Sequence, residues 1–278
     1  MSAIILEDRG VIEVAGSDAT KFLHNLVTND IAKLAPSEAR FSALLAPQGK
    51  ILADFLVFAQ GEGDSRRYLL DCPLDLAGDL ARRLTMYKLR SAITITPRSD
   101  ELASYAILGE ERPQVDATVL ARDPRSELLG WRALAPREAV VAAGLRADYD
   151  AARVAAGVPE GGVDFAYGDA FPHEANMDLI AGVDFTKGCY VGQEVVSRTK
   201  HRGLARKRVT PYHVAGAAPA PGVTIRAGEV EIGVTGSRSG DRGLALIRID
   251  KLADATAAGI TPVAEGVTLE FDAPAASA

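Results

Sequence analysis

A run of eight residues in the second half of the chain places a lone cysteine among glycines and charged residues. This octet reads Lys187-Gly188-Cys189-Tyr190-Val191-Gly192-Gln193-Glu194. The composition from Val191 to His201 predicts a short helix that ends at Gly203, so Cys189 would lie at or just before a helix N-terminus. Unpaired backbone N–H groups at such a terminus favour negative charge, and the thiolate is the reactive form of cysteine.

The neighbours of Cys189 leave two interpretations open. Lys187 adds a cation that favours the thiolate, whereas the carboxylate of Glu194 opposes it if it lies close to the sulfur. Gly188 and Gly192 indicate close backbone approach or a special turn around the thiol. The structural interpretation is that Cys189 packs as a small apolar group, because free cysteines are among the most buried residues.

A glycine-rich stretch, residues 157–186, precedes the octet and has little periodicity. Such a stretch inside a compact protein is more often a binding or active-site loop than a plain connection. Within it, Glu174 places a carboxylate in a mostly apolar setting. One carboxylate accepts two hydrogen bonds, which suits a planar heterocycle with adjacent N–H donors. A surface glutamate in a turn would look the same from the sequence.

A basic run follows the octet, from Arg198 to Arg208. It holds His201 and six Lys or Arg side chains, at positions 198, 200, 202, 206, 207 and 208. Such a run can contact phosphate or polyglutamate, although a solvated helix face and linker is the interpretation we favour. Because no aromatic residues alternate with the basic ones, direct nucleic-acid binding is not expected.

Composition limits the class of protein. The chain has 278 residues, 24% of them charged, which is typical of a globular protein of two domains. Its formal net charge of -6 does not indicate a protein that binds nucleic acid through its overall charge. No apolar run approaches the ~20 residues of a membrane span. The N-terminus lacks a targeting pattern, and two cysteines give no disulfide framework, so we expect a cytoplasmic protein. The four histidines are scattered, which predicts no metal site.

Hydrophobic patterns predict alternating strands and helices up to about residue 160. The predicted strands lie at 3–14 (two strands), 41–45, 51–58, 68–72, 92–96, 104–108 and 128–134. The predicted helices begin at Ser17 or Asp18 and then span 73–86, 137–143 and 147–156. The order strand, helix, strands occurs twice, which is typical of α+β units with helices on one face of each sheet. Cys72, at the end of a predicted strand, is expected in the core.

The pattern changes after Arg208. Short β-type runs separated by Gly and Pro predict a small antiparallel barrel or sandwich. The sequence therefore divides into residues 1–208, with two interleaved α+β subdomains, and residues 209–278.

The octet resembles the K-G-C-[FY]-x-G-Q-E signature of the YgfZ family, folate-binding relatives of the glycine-cleavage T-protein, an aminomethyltransferase. Every position of that signature is matched. Shorter segments resemble the family in the same order along the chain, at 16–23, 28–30, 47–50, 86–90, 153–159, 171–174 and 184–187. The resemblance implies an α+β fold of two ferredoxin-like α+β units plus a C-terminal antiparallel β-barrel, arranged around a central folate channel.

The resemblance also implies a ligand and a site. The cofactor would be tetrahydrofolate or another folate derivative. Glu174 falls where relatives bind the pterin ring, and Arg153 and Tyr149 fall where they line the same channel. Tyr149 and Arg9 stand where some relatives carry Trp, so stacking on the folate would be arranged differently here.

The function implied is that of an accessory protein for iron–sulfur cluster assembly or repair. It would support cluster enzymes, including those that thiolate tRNA, and its partners would be assembly factors or those client enzymes. Cys189 would be the functional thiol, with Lys187 favouring the thiolate, Gly188 and Gly192 allowing close approach, and Gln193 and Glu194 orienting the loop. Tyr190 completes the signature loop. Clusters usually take about four thiolates, so any metal role of Cys189 would be transient or shared.

Two alternatives remain. The first is a tetrahydrofolate-dependent aminomethyltransferase or methyltransferase. T-proteins carry an Asp-Asp pair where this chain reads Ala53-Asp54, and they lack the octet, which puts aminomethyl transfer in doubt. Whether any reaction is catalysed stays open. The second is a scaffold without a small-molecule site, in which residues 157–186 form only a long loop.

Overall fold

An antiparallel five-stranded sheet is formed by strands that lie between Arg9 and Pro97 in the computed structural model, which describes residues 2–61, 63–202 and 205–272. With strands numbered along the chain, its spatial order is β3 (Ala39–Leu45), β4 (Ile51–Gln60), β5 (Arg67–Pro73), β2 (Arg9–Ala15) and β6 (Thr94–Pro97). Two helices, α1 (Ala19–Leu26) and α2 (Leu74–Lys88), cover one face. Phe22, Leu23 and Leu26 recur at helical spacing and are buried, as the sequence predicts.

A second antiparallel sheet has four strands. Their spatial order is β1 (Ala3–Leu6), β7 (Ala103–Ile107), β9 (Trp131–Ala135) and β8 (Val119–Arg122). Although β1 and β2 are neighbours in sequence, they belong to different sheets, so the turn at Glu7-Asp8 crosses between the two. The helix α3 (Arg146–Ala155) then packs beside β1.

The helix predicted at 137–143 is wrong. Ala142 instead forms a parallel bridge with Ala3, and the amides of Ala143 and Gly144 both donate to the Ala3 carbonyl. The free edge of β1 offers these hydrogen bonds, and pairing with it satisfies the backbone better than one isolated helical turn would.

The two sheets face each other across a shared core. Alternate residues of β4 separate by face: Phe55 and Val57 pack under the helices, whereas Leu56 and Phe58 point to the second sheet. From that second sheet, Leu6 and Leu134 enter the same core. The residues placed between the sheets are therefore enclosed from both sides.

The C-terminal region is a nearly closed antiparallel barrel. Its spatial order is β15 (Val267–Thr268), β14 (Val263–Ala264), β11 (Thr224–Ala227), β12 (Val230–Ser239), β13 (Arg242–Arg248), β10 (Lys207–His213) and β16 (Glu270–Phe271). The edge strands β15 and β16 are separated by Leu269 alone, so the two edges of the sheet meet. The helix α5 (Ile249–Ala257), which the sequence pattern did not indicate, packs on the barrel. The predicted α+β class with a C-terminal antiparallel barrel is confirmed; the division between 208 and 209 stays a prediction.

The glycine-rich stretch and the octet lie against the five-stranded sheet. Residues 157–186 contain no helix, and the backbone at Gly168 and Ala170 bonds to Ile51 at the start of β4. The helix after the octet, α4 (Gln193–Arg202), begins two residues later than predicted. Its predicted stop, Gly203, lies outside the described residues. Within those residues, no helix is long and apolar enough to cross a membrane.

Candidate functional site

A cavity of about 520 Å³ opens between the two sheets, where β2, β4 and β9 meet α3 and the glycine-rich stretch. Its apolar lining includes Leu6, Phe41 and Leu56. Eight charged residues also line it, four arginines and four acids: Asp8, Arg9, Asp54, Asp75, Arg125, Arg132, Arg153 and Glu160. A cavity with this mixture suits a ligand that carries both a flat apolar part and polar groups.

Of the four acids that line the cavity, Asp54 is the one that is buried. Its Oδ1 accepts a hydrogen bond of 2.8 Å from the Tyr167 hydroxyl, and no other hydrogen bond to its carboxylate is found within the described residues. Burial raises the pKa of Asp54, and the positive charge of Arg9 only partly offsets this. Burial and the neighbouring Asp54 also raise the pKa of Tyr167, which keeps its proton. The pair therefore presents acceptor and hydroxyl groups to a ligand.

The arginines of the cavity are held by acids behind its wall. The Asp71 carboxylate forms ion pairs with Arg9, at 2.7 Å between Oδ1 and Nε, and with Arg132, at 3.4 Å between Oδ2 and Nη1. The Asp123 carboxylate forms an ion pair with Arg125, at 2.6 Å between Oδ2 and Nη2. Burial alone would raise the pKa of Asp123, but the contacts with Arg125 and the charge of Arg132 together outweigh burial and lower this pKa to about 2. These contacts fix the guanidinium groups in place before any ligand arrives.

Both residues predicted on α3 line the cavity. The Tyr149 hydroxyl accepts hydrogen bonds from Arg125 at 3.0 Å and Arg132 at 2.9 Å. Arg153 pairs with Glu160 at 2.9 Å and donates to the Ser237 hydroxyl of β12 at 2.8 Å. Arg153 thus connects the cavity wall to the barrel.

The third residue predicted beside them, Glu174, does not line this cavity. Its carboxylate accepts a 2.9 Å hydrogen bond from the Phe171 amide, and its carbonyl accepts one from the Val209 amide of β10. The structure therefore places Glu174 as a residue that closes its own turn, the alternative that the sequence left open.

Cys189 and the preceding Gly188 are exposed, while Lys187 before them and Tyr190 after them are buried. Lys187 is only 7% exposed, and its Nζ donates to the carbonyls of Val27 at 2.6 Å, Asn29 at 3.0 Å and His24. Burial lowers the pKa of Lys187 to about 8, against the opposing effect of nearby acids. The sequence predicts that Lys187 favours the Cys189 thiolate, whereas in the structure its ammonium satisfies carbonyls at the end of α1, where a cation is favoured.

The remaining octet residues anchor the loop to the sheets. The buried Tyr190 ring lies 5.0 Å from Lys187 Nζ and packs in the core between the sheets. Gly192 has φ 81°, and a Cβ there would lie 2.7 Å from the Ala46 carbonyl oxygen, so only glycine fits. Gly188 meets no such restriction. Gln193 begins α4, which places the first helical residue four positions after Cys189, with Glu194 exposed in the first turn.

The basic run is partly structural. Arg208 forms a two-point ion pair with Asp178, at 2.9 and 3.0 Å, and Lys200 Nζ lies 4.0 Å from the centre of the Phe185 ring. Within the described residues, no group of three or more His, Cys, Asp and Glu side chains is arranged to hold a metal ion.

Sequence reasoning missed most of the cavity wall. In the sequence Asp54 stands out only as a departure from the Asp-Asp pair of T-proteins, and no motif marks Arg125, Arg132 or Tyr167. A charged residue inside an apolar strand is a usable signal, since such a residue needs a buried partner. Asp54 in β4 and Arg132 in β9 are both charged residues of this kind.

Comparisons with known proteins define the class first. Residues 6–142 match the family described as the GCVT N-terminal domain, and residues 206–277 match the CAF17 C-terminal beta-barrel domain. The glycine cleavage system aminomethyltransferase T from Bartonella henselae has the same fold, with a TM-score of 0.75 over 98% of this chain and 85% of that chain, at 17% identity. The chain is thus a GCVT-like α+β protein with a CAF17-type barrel.

Sequence relatives then give the family. The mitochondrial iron-sulfur cluster assembly factor IBA57 of Mus musculus is 35% identical over 89% of this chain and 77% of its own length. The human protein of the same name gives the same three values. The chain belongs to the IBA57 family of iron–sulfur cluster assembly factors. These comparisons support the relation to the YgfZ group, and the octet as its signature stays a prediction.

The predicted cytoplasmic location is wrong. The relatives from mouse, human and Mycosarcoma maydis are all named as mitochondrial. The prediction rested on the few cysteines and the N-terminal sequence. Cysteine content separates reducing from oxidising compartments, but it does not distinguish one reducing compartment from another.

Proposed function

We propose that this chain acts in iron–sulfur cluster assembly as a folate-binding accessory protein. Membership of the IBA57 family supports the cluster role. The observation that carries it is the exposed Cys189 thiol between two buried anchors, Lys187 and Tyr190. A loop that is already ordered presents its thiol to a partner at little further cost in conformational entropy.

The thiol acts together with another protein. The second cysteine, Cys72, is buried in the core under α2, so Cys189 is alone on the surface. A cluster usually takes about four thiolates, and Cys189 therefore supplies one ligand or one reactive sulfur while a partner supplies the others. The match of the octet to the YgfZ signature supports this role. Lys187 acts as a positioning residue that fixes the loop to α1.

The cavity between the sheets is the proposed folate site. Its size, about 520 Å³, lies within the range of about 300–1,000 Å³ that is usual for small-molecule pockets. Asp54 and Tyr167 offer hydrogen-bond groups to the edge of a pterin, and Arg9 and Arg125 favour the negative charge of a glutamate tail. Tyr149 and Arg153 complete the wall. A bound tetrahydrofolate would supply a carrier of one-carbon units.

The clients proposed are cluster enzymes, including those that thiolate tRNA, as the resemblance to the YgfZ family implies. Direct contact with the tRNA is not part of the proposal. Arg208 is already paired with Asp178, and Lys200 covers the Phe185 ring, so the basic run has fewer free cations than its sequence suggests.

A folate-dependent aminomethyltransferase or methyltransferase is the second candidate. It is favoured by Asp54, a buried carboxyl with a raised pKa in the cavity wall. The other position of the acidic pair is Ala53, which faces the helices on the opposite side of β4. Measured turnover of a one-carbon donor would favour this candidate over the accessory role.

The test measures the activities of cluster enzymes in two cell lines. In one the only copy of the protein carries Cys189→Ser, and in the other it carries Asp54→Asn. We expect Cys189→Ser to lower the activities of cluster enzymes while enzymes without clusters keep theirs, at an equal level of the protein. The purified Cys189→Ser protein should still bind folate. Full cluster-enzyme activity with Cys189→Ser would remove the thiol from the function, and a loss confined to Asp54→Asn would place the function in the cavity alone.

A further inference from the structure

The turn that ends α2 carries a leucine where its geometry calls for glycine. The Ser91 amide donates to the Lys88 carbonyl at 2.8 Å, and Leu89, the second residue of the turn, has φ 46° and ψ -108°. These are the angles of a type II′ turn, whose second position is dominated by glycine because a Cβ there is strained. Leu89 is nevertheless 89% exposed, so no internal packing compensates for this strain.

Leu89 belongs to an exposed apolar surface, called the α2-end surface, formed by Met86, Tyr87, Leu89 and Arg90. Met86 is 66% exposed and Tyr87 is 38% exposed. Large apolar side chains that cluster on a surface mark an interaction site more often than single ones do. The strained Leu89 strengthens this argument, because its exposed side chain forms no packing contacts within the described part of the protein that would offset the strain.

A groove of about 460 Å³ connects the α2-end surface to the octet. Phe22 and Leu26 of α1 form its floor, Tyr87 and Arg90 form one wall, and Val191 of the octet forms part of its lining. Val191 is two residues from Cys189, and two extended residues span at most about 7 Å. A segment bound in the groove therefore passes close to the thiol.

The charges around the groove indicate the chemistry of its partner. Lys21 and Arg90 are exposed and Lys88 is partly exposed, and no carboxylate of the described residues lies within ion-pair distance of any of them. Asp18 also lines the groove, but its carboxylate accepts a hydrogen bond from the Ala92 amide. In a chain of net charge -6, an unpaired basic rim around apolar side chains complements an acidic segment with apolar residues.

We propose that the α2-end surface and this groove bind an acidic, apolar segment of a partner protein and bring that partner's own thiol or cluster to Cys189. The proposal rests on the proposed function, because it names where the partner of the thiol docks. A protein segment fits better than a nucleic acid, since phosphates would use the cations but would leave Met86 and Leu89 without a role.

Thiol–disulfide exchange on the purified full chain tests the docking directly. The probes are two synthetic peptides of equal length, one with alternating leucine and glutamate and one with leucine and lysine, each carrying one cysteine as its thionitrobenzoate disulfide. The Cys189 thiolate attacks the peptide sulfur, a protein–peptide disulfide forms, and thionitrobenzoate leaves with the electron pair of the broken bond. We expect the acidic peptide to react about ten-fold faster at low salt, with the preference lost at high salt.

Charge-reversal variants locate the preference. Lys21→Glu with Arg90→Glu should abolish it, whereas the matched control, Lys207→Glu with Arg242→Glu on the barrel, has the same net charge and should keep it. Leu89→Gly should slow the acidic peptide several-fold while the melting temperature stays equal or rises, because glycine relieves the strained turn. Equal rates for both peptides, or equal losses in both double variants, would overturn the docking site.

Two further arms separate this proposal from the others. Iodoacetamide, a small neutral reagent, should alkylate Cys189 at the same rate in every variant. A general loss of alkylation would argue against the exposed thiol of the proposed function, whereas a loss of the peptide preference alone overturns only the docking. A labelled RNA oligonucleotide should not bind; RNA binding that the Lys21 and Arg90 reversal removes and Leu89→Gly leaves intact would reassign the surface to nucleic acid.

Discussion

At the scale of single residues, the two cysteines occupy opposite environments. Cys72 is fully buried at the end of β5, and its thiol lies 3.6 Å from the Gly10 carbonyl oxygen. Burial raises the pKa of Cys72 to about 12, so it stays a neutral thiol at physiological pH. Cys189 is exposed on the octet loop. Chemistry at sulfur therefore belongs to Cys189.

This difference predicts the outcome of alkylation. In the native protein, iodoacetamide should modify Cys189 and leave Cys72 unmodified until the chain unfolds, as read by mass spectrometry of the digested protein. Cys189→Ser should change the free energy of unfolding by less than about 0.5 kcal/mol, because substitutions of exposed side chains seldom cost more. If Cys189 resists labelling and the serine variant melts several degrees lower, the residue packs in the structure and the proposed role of the thiol fails.

The sequence predicts the environment of some residues and not of others. The core position of Cys72 follows from its place at the end of a predicted strand, which is local information. The partners of Asp54 and Arg132 could not be predicted in the same way, because Tyr167 lies 113 positions from Asp54. Glu174 illustrates the opposite problem, since a turn-closing carboxylate and a ligand-binding carboxylate have the same local sequence.

At the scale of elements, Lys187 is a cap that comes from a distant part of the chain. Its ammonium donates to carbonyls at and just beyond the end of α1, which would otherwise lack partners. The acidic groups Asp30 and Asp184 lie nearby and oppose the effect of burial on its pKa. The octet loop and α1 therefore stabilise each other.

The lowered pKa of Lys187 gives a pH prediction. This pKa falls from 10.5 to about 8 on folding, so between these pH values the unfolded chain binds more protons than the folded one. The contribution of Lys187 to stability should therefore be largest above pH 10.5 and decrease as the pH falls through 8. Urea unfolding at both ends of this window should show wild type gaining stability at high pH relative to Lys187→Met.

The control for this comparison is Lys21→Met, which removes an exposed lysine from α1 and accounts for the general effect of losing one positive charge. Other groups that titrate in the same window cancel in the difference between wild type and each variant. A difference between wild type and Lys187→Met that does not vary with pH would mean that the three carbonyls hold the proton on Lys187 against the effect of burial.

Elements were predictable where their pattern is local. Apolar spacing predicts α1 and α2, the stop signals at Gly157 and Pro159 predict the end of α3, and runs of strand-forming residues about a turn predict β3 and β4. The segment 137–143 has helical composition but lies beside β1, because this sheet edge, whose Ala3 is 139 positions before Ala142, offers its backbone better partners. The assignment of β1 and β2 to different sheets depends on the same kind of distant pairing, which no local pattern contains.

At the scale of the whole molecule, a buried ion pair and buried hydrogen bonds join the units around the cavity. Arg132 of the four-stranded sheet contacts Asp71 of the five-stranded sheet at 3.4 Å, and Arg153 and Asp164 both bond to Ser237 of the barrel. Removing one partner of such a pair leaves an uncompensated charge, which usually costs about 3–5 kcal/mol. The two sheets enclose the cavity and Ser237 of the barrel holds Arg153 of its wall, so a ligand bound there should stabilise the whole chain.

A reduced folate should accordingly raise the melting temperature of the complete protein. With 5-formyltetrahydrofolate as the probe, a ligand present at 100 times its Kd adds about 2.7 kcal/mol to the free energy of unfolding. Asp54→Asn replaces a carboxyl oxygen that faces the cavity with an amide NH2 group, and we expect it to weaken binding by about 1.5–3 kcal/mol, measured by calorimetry. Glu174→Ala is the matched control: it should lower the stability of the free protein by about 0.5–2 kcal/mol through its lost turn contact, yet leave the affinity unchanged. If Glu174→Ala abolishes binding while Asp54→Asn retains it, the heterocycle binds at the glycine-rich stretch, where the family resemblance places it, and the cavity between the sheets has another ligand.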